Sequence, residues 1–301
     1  MSEPLSLHGV EIVDTFAEAF PIKATRLIVT ACTDHWAEIA AREFCGNATS
    51  VIACDIEAAV EKVLPPEDIP DRRPGRSILA FAFDRNGLES AMQSRVGQCI
   101  LTCPSTACFD GLPEGDSGKR IRVGSALRYF GDGFQISKKL AGRHFWRVPV
   151  MDGEFLCEAT FGTVTGVAGG NLIFCGEDQQ QTLAAAEAAS KAAAECPDVA
   201  LPFPGGIVRS GSKVGSKYKA LRASTNDRYC PTLRGATAVD LPEDANCVYE
   251  IVIDGLSSEA VAASMKAGLH AAAQCPGLLQ ITAGNYGGKL GPYHFHLREL
   301  L

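Results

Sequence analysis

Asp14-Thr15-Phe16-Ala17-Glu18-Ala19-Phe20-Pro21, followed by Thr25-Arg26-Leu27-Ile28-Val29-Thr30, decides how this chain folds, because its landmarks return once. Thr15-Phe16 reappears as Thr160-Phe161 and Leu27-Ile28 as Leu172-Ile173, both at an offset of 145 residues. Trp36, Ile39, Ala40 and Phe44 then recur at helical spacing behind Asp34, which is placed to cap the helix that Gly46 stops. Ala185-Ala186 stands where Ala40-Ala41 would fall at the same offset. Onward from there, Ser50–Cys54 reads as a strand, Pro65 to Gly75 as a loop, Ser77–Phe83 as a buried strand, Gly87–Leu101 as a helix and Ser105–Phe109 as a strand. Gly255-Leu256 answers Gly87-Leu88 at an offset of 168, and Cys275-Pro276 answers Cys103-Pro104 at 172. The difference implies about one helical turn added in the second half.

Strand, helix, strand, twice over in each half, is the order of split βαβ units. The expected fold is therefore α+β, an α/β sandwich of two similar ferredoxin-like lobes with predominantly antiparallel sheets flanked by helices, spanning 1–150 and 151–301. The polar, glycine-rich connection over 110–118 and the alternation over 121–148, expected to form hairpins rather than helices, mark the boundary.

A chain of 301 residues lies where two lobes become the norm. The net charge of −7 carries no basic block, which argues against nucleic acid as a partner. Met1 to His8 has neither a basic nor an apolar leader region, and no run of roughly 18 apolar residues occurs, so no membrane span and a cytoplasmic location are expected. Twelve cysteines are many, yet no Cys-x-x-Cys exists and the gaps between Cys99, Cys103 and Cys108 match no common metal site. Reduced thiols packed as small hydrophobes are expected. Of the six histidines only His294 and His296 share a strand face, too few for a metal centre. No Gly-x-Ser-x-Gly element is present, and Gly131-x-Gly133 lacks the third glycine of a dinucleotide fingerprint. Neither a bound metal, a covalent nucleophile nor a tightly held cofactor is expected.

Pro202 to Lys217 holds Gly205, Gly206, Arg209, Ser210, Gly211, Ser212, Lys213 and Lys217 without one acid. Backbone N–H groups and positive charge there suit an anion, although a solvated glycine-rich turn would look alike. Gly206 and Gly211 have phosphate-loop spacing, but Ser212-Lys213 follows in the wrong order for a nucleoside triphosphate. Asn226 and Tyr229 lie in a second polar cluster able to grip a heterocycle or a carboxylate, or to cap an element. Glu250 stands out within Val248-Tyr249-Glu250-Ile251-Val252-Ile253. A carboxylate among such neighbours has a raised pKa suited to general acid–base work, unless the strand is an edge and the glutamate faces water.

Long strings run in order along nearly the whole chain. Asp14 to Pro21, Tyr129-Phe130-Gly131-Asp132-Gly133, Pro202 to Val208, Tyr229-Cys230-Pro231-Thr232-Leu233-Arg234, Val248 to Ile253 and Gly287-Gly288-Lys289-Leu290-Gly291 together resemble the formylmethanofuran:tetrahydromethanopterin formyltransferase family. The resemblance implies two similar lobes assembled into dimers and tetramers, with the site in a cleft at a subunit interface that takes tetrahydromethanopterin and a methanofuran-type carrier as substrates. The cysteine content is more similar to the bacterial, methylotroph branch, where such a subunit belongs to a formyltransferase/hydrolase complex of formaldehyde oxidation. Implied roles are Glu250 as proton carrier, Gly205, Gly206, Asn171, Asn226 or Asn285 as oxyanion donors, and Arg209, Lys213 and Lys217 as contacts to carrier tails. A non-catalytic pterin-binding or structural subunit is the alternative.

Overall fold

The computed structural model describes residues 5–69, 71–112, 120–140 and 142–301; the amino-terminal four residues and most of the connection expected over 110–118 lie outside the described residues. The chain forms two compact units, one of residues 22–165 and one of 1–21 with 166–301.

The hairpin β1 (Leu5–Leu7) and β2 (Val10–Ile12) opens the chain, and the long strand β3 (Phe16–Thr30) follows. Helix α1 (Asp34–Cys45) buries Ala37, Ala40, Ala41 and Phe44, one face at helical spacing. Its cap is Thr33 rather than Asp34: the Thr33 hydroxyl accepts from the Trp36 N–H, while the Asp34 carboxylate, already inside the helix, takes Arg76 in a two-pronged contact at 2.7 and 3.0 Å. The strand expected at Ser50–Cys54 is a turn. The N–H groups of Ala53 and Cys54 both bond back to the Ser50 carbonyl, so the backbone is satisfied locally and β4 (Glu57–Leu64) begins later. Strand β5 (Gly75–Ala82) is buried throughout, and α2 (Arg85–Arg95), capped by Asp84, continues as a wider turn over Val96–Ile100 before β6 (Ala107–Asp110). The antiparallel order is β4-β5-β3-β6, with Ile28 opposite both Ser77 and Phe109.

Where hairpins alone were expected, a short helix α3 (Val123–Leu127) and a tight turn Arg128–Gly131 come first. Val123 is fully buried, and Gly124 packs so closely on Glu158 that a Cβ would lie 2.3 Å from its carbonyl oxygen, so tertiary packing overrides local alternation. The hairpin β7 (Ile136–Leu140) and β8 (Arg143–Val150) follows, and β9 (Gly153–Glu158) joins β8 to β6.

The other unit repeats the plan: β10 (Val164–Gly176), α4 (Gln179–Ala194), β11 (Val199–Ala200), β12 (Ile207–Val208), β13 (Cys247–Gly255), α5 (Ser258–Ala273) and β14 (Leu278–Thr282), closed by β15 (Tyr293–His296). Ile173 lies opposite Glu250 and Thr282, as Ile28 lies opposite Ser77 and Phe109. Glu250 and Thr282 thus both stand at an offset of 173 from their counterparts, against 145 for Ile173. The added turn expected from Gly255-Leu256 is absent, since Arg85–Ile100 and Ser258–Ala273 are equally long. Gly87 lies in the first turn of α2, whereas Gly255 ends a strand; the true counterparts are the capping residues Asp84 and Ser257. The net excess of 28 residues falls between β10 and β13, which includes the long connection 201–246. Residues 5–21 pack with this unit because β2 extends its sheet beside β14, Ile12 opposite Ile281, while Phe16–Ala19 pair with β15.

Candidate active site

Strand β13 alternates. Tyr249, Ile251 and Ile253 join the core with α4 and α5, and Glu250 faces the opposite side with 3% of its surface exposed. The edge-strand alternative falls, because β13 is flanked by β10 on one side and by β11 and β12 on the other. Gly211, held at φ 74° with no room for a side chain against Asn226, turns the connection so that Ser212 meets the carboxylate. The Ser212 N–H donates to Oε2 at 2.8 Å and its hydroxyl to Oε1 at 2.6 Å. Burial pushes the Glu250 pKa up to about 7, and the two Ser212 donors limit the rise.

Glu250 forms part of the wall of a cavity of about 860 Å³, the size of a cofactor or drug-like ligand site. Asn171, Ser212, Lys213, Asn226, Tyr229 and Asn285 line it too, so six of the polar residues singled out in the sequence converge with the acid. Gly205, Gly206, Arg209, Ser210 and Lys217 do not line it. Gly205 and Gly206 pack against α4: Ser190 donates to the Gly205 carbonyl, and a Cβ on Gly206 would lie 2.1 Å from the Ser190 hydroxyl. Their conformation serves close helix packing, and the Gly206 N–H is spent on Phe203. Arg209 and Ser210 border a small adjoining crevice beside Cys230 that shares Asn226, Tyr229 and Glu250 with the cavity, and Lys217 stands in a bend, because the segment enters the cavity itself only at Ser212 and Lys213.

The three asparagines differ. The Asn171 amide donates to the carbonyls of Gly169 and Gly284 and accepts from the Gly284 N–H at 2.6 Å. The Asn285 amide donates to Thr15 and Phe16 and accepts from the Gly287 N–H. Both therefore tie backbone together rather than offering a donor to a ligand, whereas the Asn226 side chain makes no hydrogen bond among the described residues. Lys213 is paired with Asp227, whose carboxyl that contact lowers, and Arg228 is paired with Asp240. Burial raises the Tyr229 hydroxyl.

Two residues escaped sequence reasoning. Glu18, 2% exposed, accepts from the N–H groups of Tyr286, Gly288 and Gly291 at 2.7, 3.0 and 3.0 Å and from that of Leu290. Burial alone would raise its pKa, but the four donors outweigh it and hold the carboxyl below its ordinary range. The glycine-rich run Gly287-Gly288 to Gly291 is thus a wrapping for this anion, with positive φ at Gly287 and Gly288. Tyr286 lines the cavity from that loop; its hydroxyl accepts from the Val214 N–H at 2.7 Å. An acid in the middle of an apolar strand was the available signal for Glu18.

Cys99 and Cys103 pack on the core of their unit, Cys108 is buried within it, and burial pushes Cys45 and Cys175 up to about 12, the mark of unreactive thiols. Among the described residues no helix is long and apolar enough to cross a membrane.

Fold and cavity define an α+β protein with a buried acid poised near neutrality at the wall of a ligand-sized site. The family model described as formylmethanofuran-tetrahydromethanopterin formyltransferase matches residues 5–150, and the one described as its proximal lobe matches 153–300. The chain belongs to that family. It is 55% identical over 298 residues to the formylmethanofuran-tetrahydromethanopterin formyltransferase of Methylococcus capsulatus, covering 98% of this chain and 99% of that one. Identity to a subunit of the formyltransferase/hydrolase complex of Methylorubrum extorquens is 54% over 305 residues, 98% of this chain and 97% of the relative. The crystal structure of that organism's complex with methylofuran superimposes with a TM-score of 0.95 over 99% of both chains, at 53% identity. The formyltransferase of Methanosarcina barkeri does so with a TM-score of 0.93 at 48% identity, over 99% of this chain and 100% of that one.

Proposed function

We propose that this chain transfers a formyl group between N5 of tetrahydromethanopterin and the primary amine of a methanofuran-type carrier. The observation that carries the reading is Glu250, buried with a pKa of about 7 at the wall of a cavity of about 860 Å³, in a chain of this family. The accepting nitrogen attacks the formyl carbon to give a tetrahedral intermediate. The proton leaves the attacking nitrogen, and one must reach the departing nitrogen as the C–N bond breaks. A group half-ionised near neutrality serves both halves of that exchange, and Glu250 is the candidate. Asn226, with its amide unspent, is the candidate oxyanion donor, and the cavity holds the two amines in reach. No acyl-enzyme is needed.

The titrating acid is more than a purely structural or pterin-binding subunit requires, and no observation favours that alternative. The relative that is a subunit of a formyltransferase/hydrolase complex supports membership of such a complex in one-carbon metabolism; the chain is further read as a homo-oligomer in the cytoplasm. The sequence halves 1–150 and 151–301 are read as copies of one duplicated lobe, of which only the second gained the long connection that lines the cavity. Superposition on Ile28 and Ile173 should bring all four paired strands of each sheet into register, and strands displaced by one place would sink the duplication.

Purified chain incubated with N5-formyl-tetrahydromethanopterin and a methanofuran-type amine should form the formylated amine without added metal. Binding of both carriers with no turnover would overturn the reading. Lys213→Ala should raise KM and reduce its salt dependence while leaving kcat within about twofold, because a salt-screened ionic contact to a carrier tail is lost and that contact is equal in ground and transition states. A kcat effect with unchanged KM would move Lys213 into the chemistry.

A further inference from the structure

Tyr286 lies between Glu18 and Glu250, two buried carboxylates of this unit, and neither of their strands carries it. Its backbone N–H is held by Glu18 at 2.7 Å, while its hydroxyl reaches across to the connection that carries Ser212. There the phenol oxygen accepts from the Val214 N–H at 2.7 Å, and its O–H lies 3.4 Å from the Ser212 carbonyl oxygen, toward which it donates. One hydroxyl therefore clamps both peptide units that flank Lys213. The residue so clamped, Ser212, places its N–H and its O–H on Glu250.

We propose that Tyr286 is a positioning residue for the transfer: its hydroxyl fixes Ser212 so that both Ser212 donors stay aimed at the Glu250 carboxyl, and Glu18 fixes Tyr286. The inference rests on the reading of Glu250 as proton carrier. Removing the clamp frees Ser212 to turn away, which withdraws donors that favour the ionised acid. The other titratable groups lining the cavity are Lys213, Arg228, Tyr229 and Asp240, and both cations carry their own acid partners. The residues opposite Glu250 in the sheet, Ile173 and Val208, are apolar, and α4 and α5 pack on the far face of β13. Ser212 and Tyr286 are thus the groups through which a neighbour can act on this acid.

The test compares Tyr286→Phe, Ser212→Ala and the double variant in the full chain. The Glu250 ionisation is followed without substrate by nuclear magnetic resonance of carbon-13-labelled glutamate, assigned with Glu250→Gln. Tyr286→Phe should move the midpoint up by about 0.5 to 1 pH unit and lower kcat about 10- to 100-fold with KM within about threefold. The double variant should shift the midpoint by less than the sum of the single shifts, because both act through Ser212. A wild-type midpoint in Tyr286→Phe, fully additive shifts, or a change confined to KM would each overturn the proposal, the last making Tyr286 a substrate contact. Were the wild-type chain inactive in formyl transfer, the substrate-free titration would still decide whether the clamp operates.

Discussion

Glu250→Gln is expected to lower kcat by about 10² to 10⁴ with a smaller change in KM. Glutamine suits the site geometrically: its carbonyl can accept from the Ser212 N–H while its amide donates to the Ser212 hydroxyl, replacing the contacts seen at 2.8 and 2.6 Å. What is lost is the exchangeable proton. The same acid imprints itself on stability. Its native pKa of about 7 lies above the ordinary glutamate value, so the folded chain binds more protons than the unfolded one between those values, and stability falls as pH rises through that window. Above pH 8 the buried charge costs roughly 2 to 4 kcal/mol, which the glutamine variant avoids. Thermal unfolding should therefore show Glu250→Gln more stable than wild type at pH 8 and nearly equal at pH 5. Near-normal kcat in this variant would send the search for the proton carrier to Tyr229, His294 and His296.

Glu18→Gln has the largest expected effect on the fold of the site. Four backbone N–H groups converge on the Glu18 carboxylate. Glutamine keeps one accepting oxygen and turns an NH₂ toward the remaining donors, leaving buried N–H groups unpaired at a cost of about 3 to 5 kcal/mol. For a chain of this size that corresponds to a melting temperature lower by on the order of 10 °C at neutral pH. Activity should fall with it, since Tyr286 and Asn285 sit on the loop that Glu18 gathers. The sign with pH is opposite to that of Glu250. A carboxyl held below its ordinary range contributes stability above the unfolded-state pKa and loses it as pH falls through the native one, so wild type and variant should converge in acid. A variant within about 2 °C of wild type at pH 7 would show that the loop is held by other means.

Sequence by itself determined the family, the doubled α+β plan and the acid. Strings of unusual residues in order specify a relationship, the pairs at an offset of 145 mark equivalent strands, and a lone glutamate among Val248, Tyr249, Ile251 and Val252 singles out one carboxyl, whose burial the flanking strands β10, β11 and β12 then decided. Local periodicity also placed most helices and strands. It failed where the backbone satisfied itself in a turn, as at Ser50 to Cys54, and where a glycine-leucine pair matched by chance in a strand end and a helix start. Tertiary structure alone decided which polar groups remain available to a ligand. Gly205 and Gly206 turned out to serve helix packing, Asn171 and Asn285 spend their amides on distant backbone, and Asn226 does not. The physical reason is that a hydrogen bond is spent on whatever the fold brings near: the partners of Glu18 lie 268 and more residues away along the chain, beyond the reach of any spacing or pattern read locally.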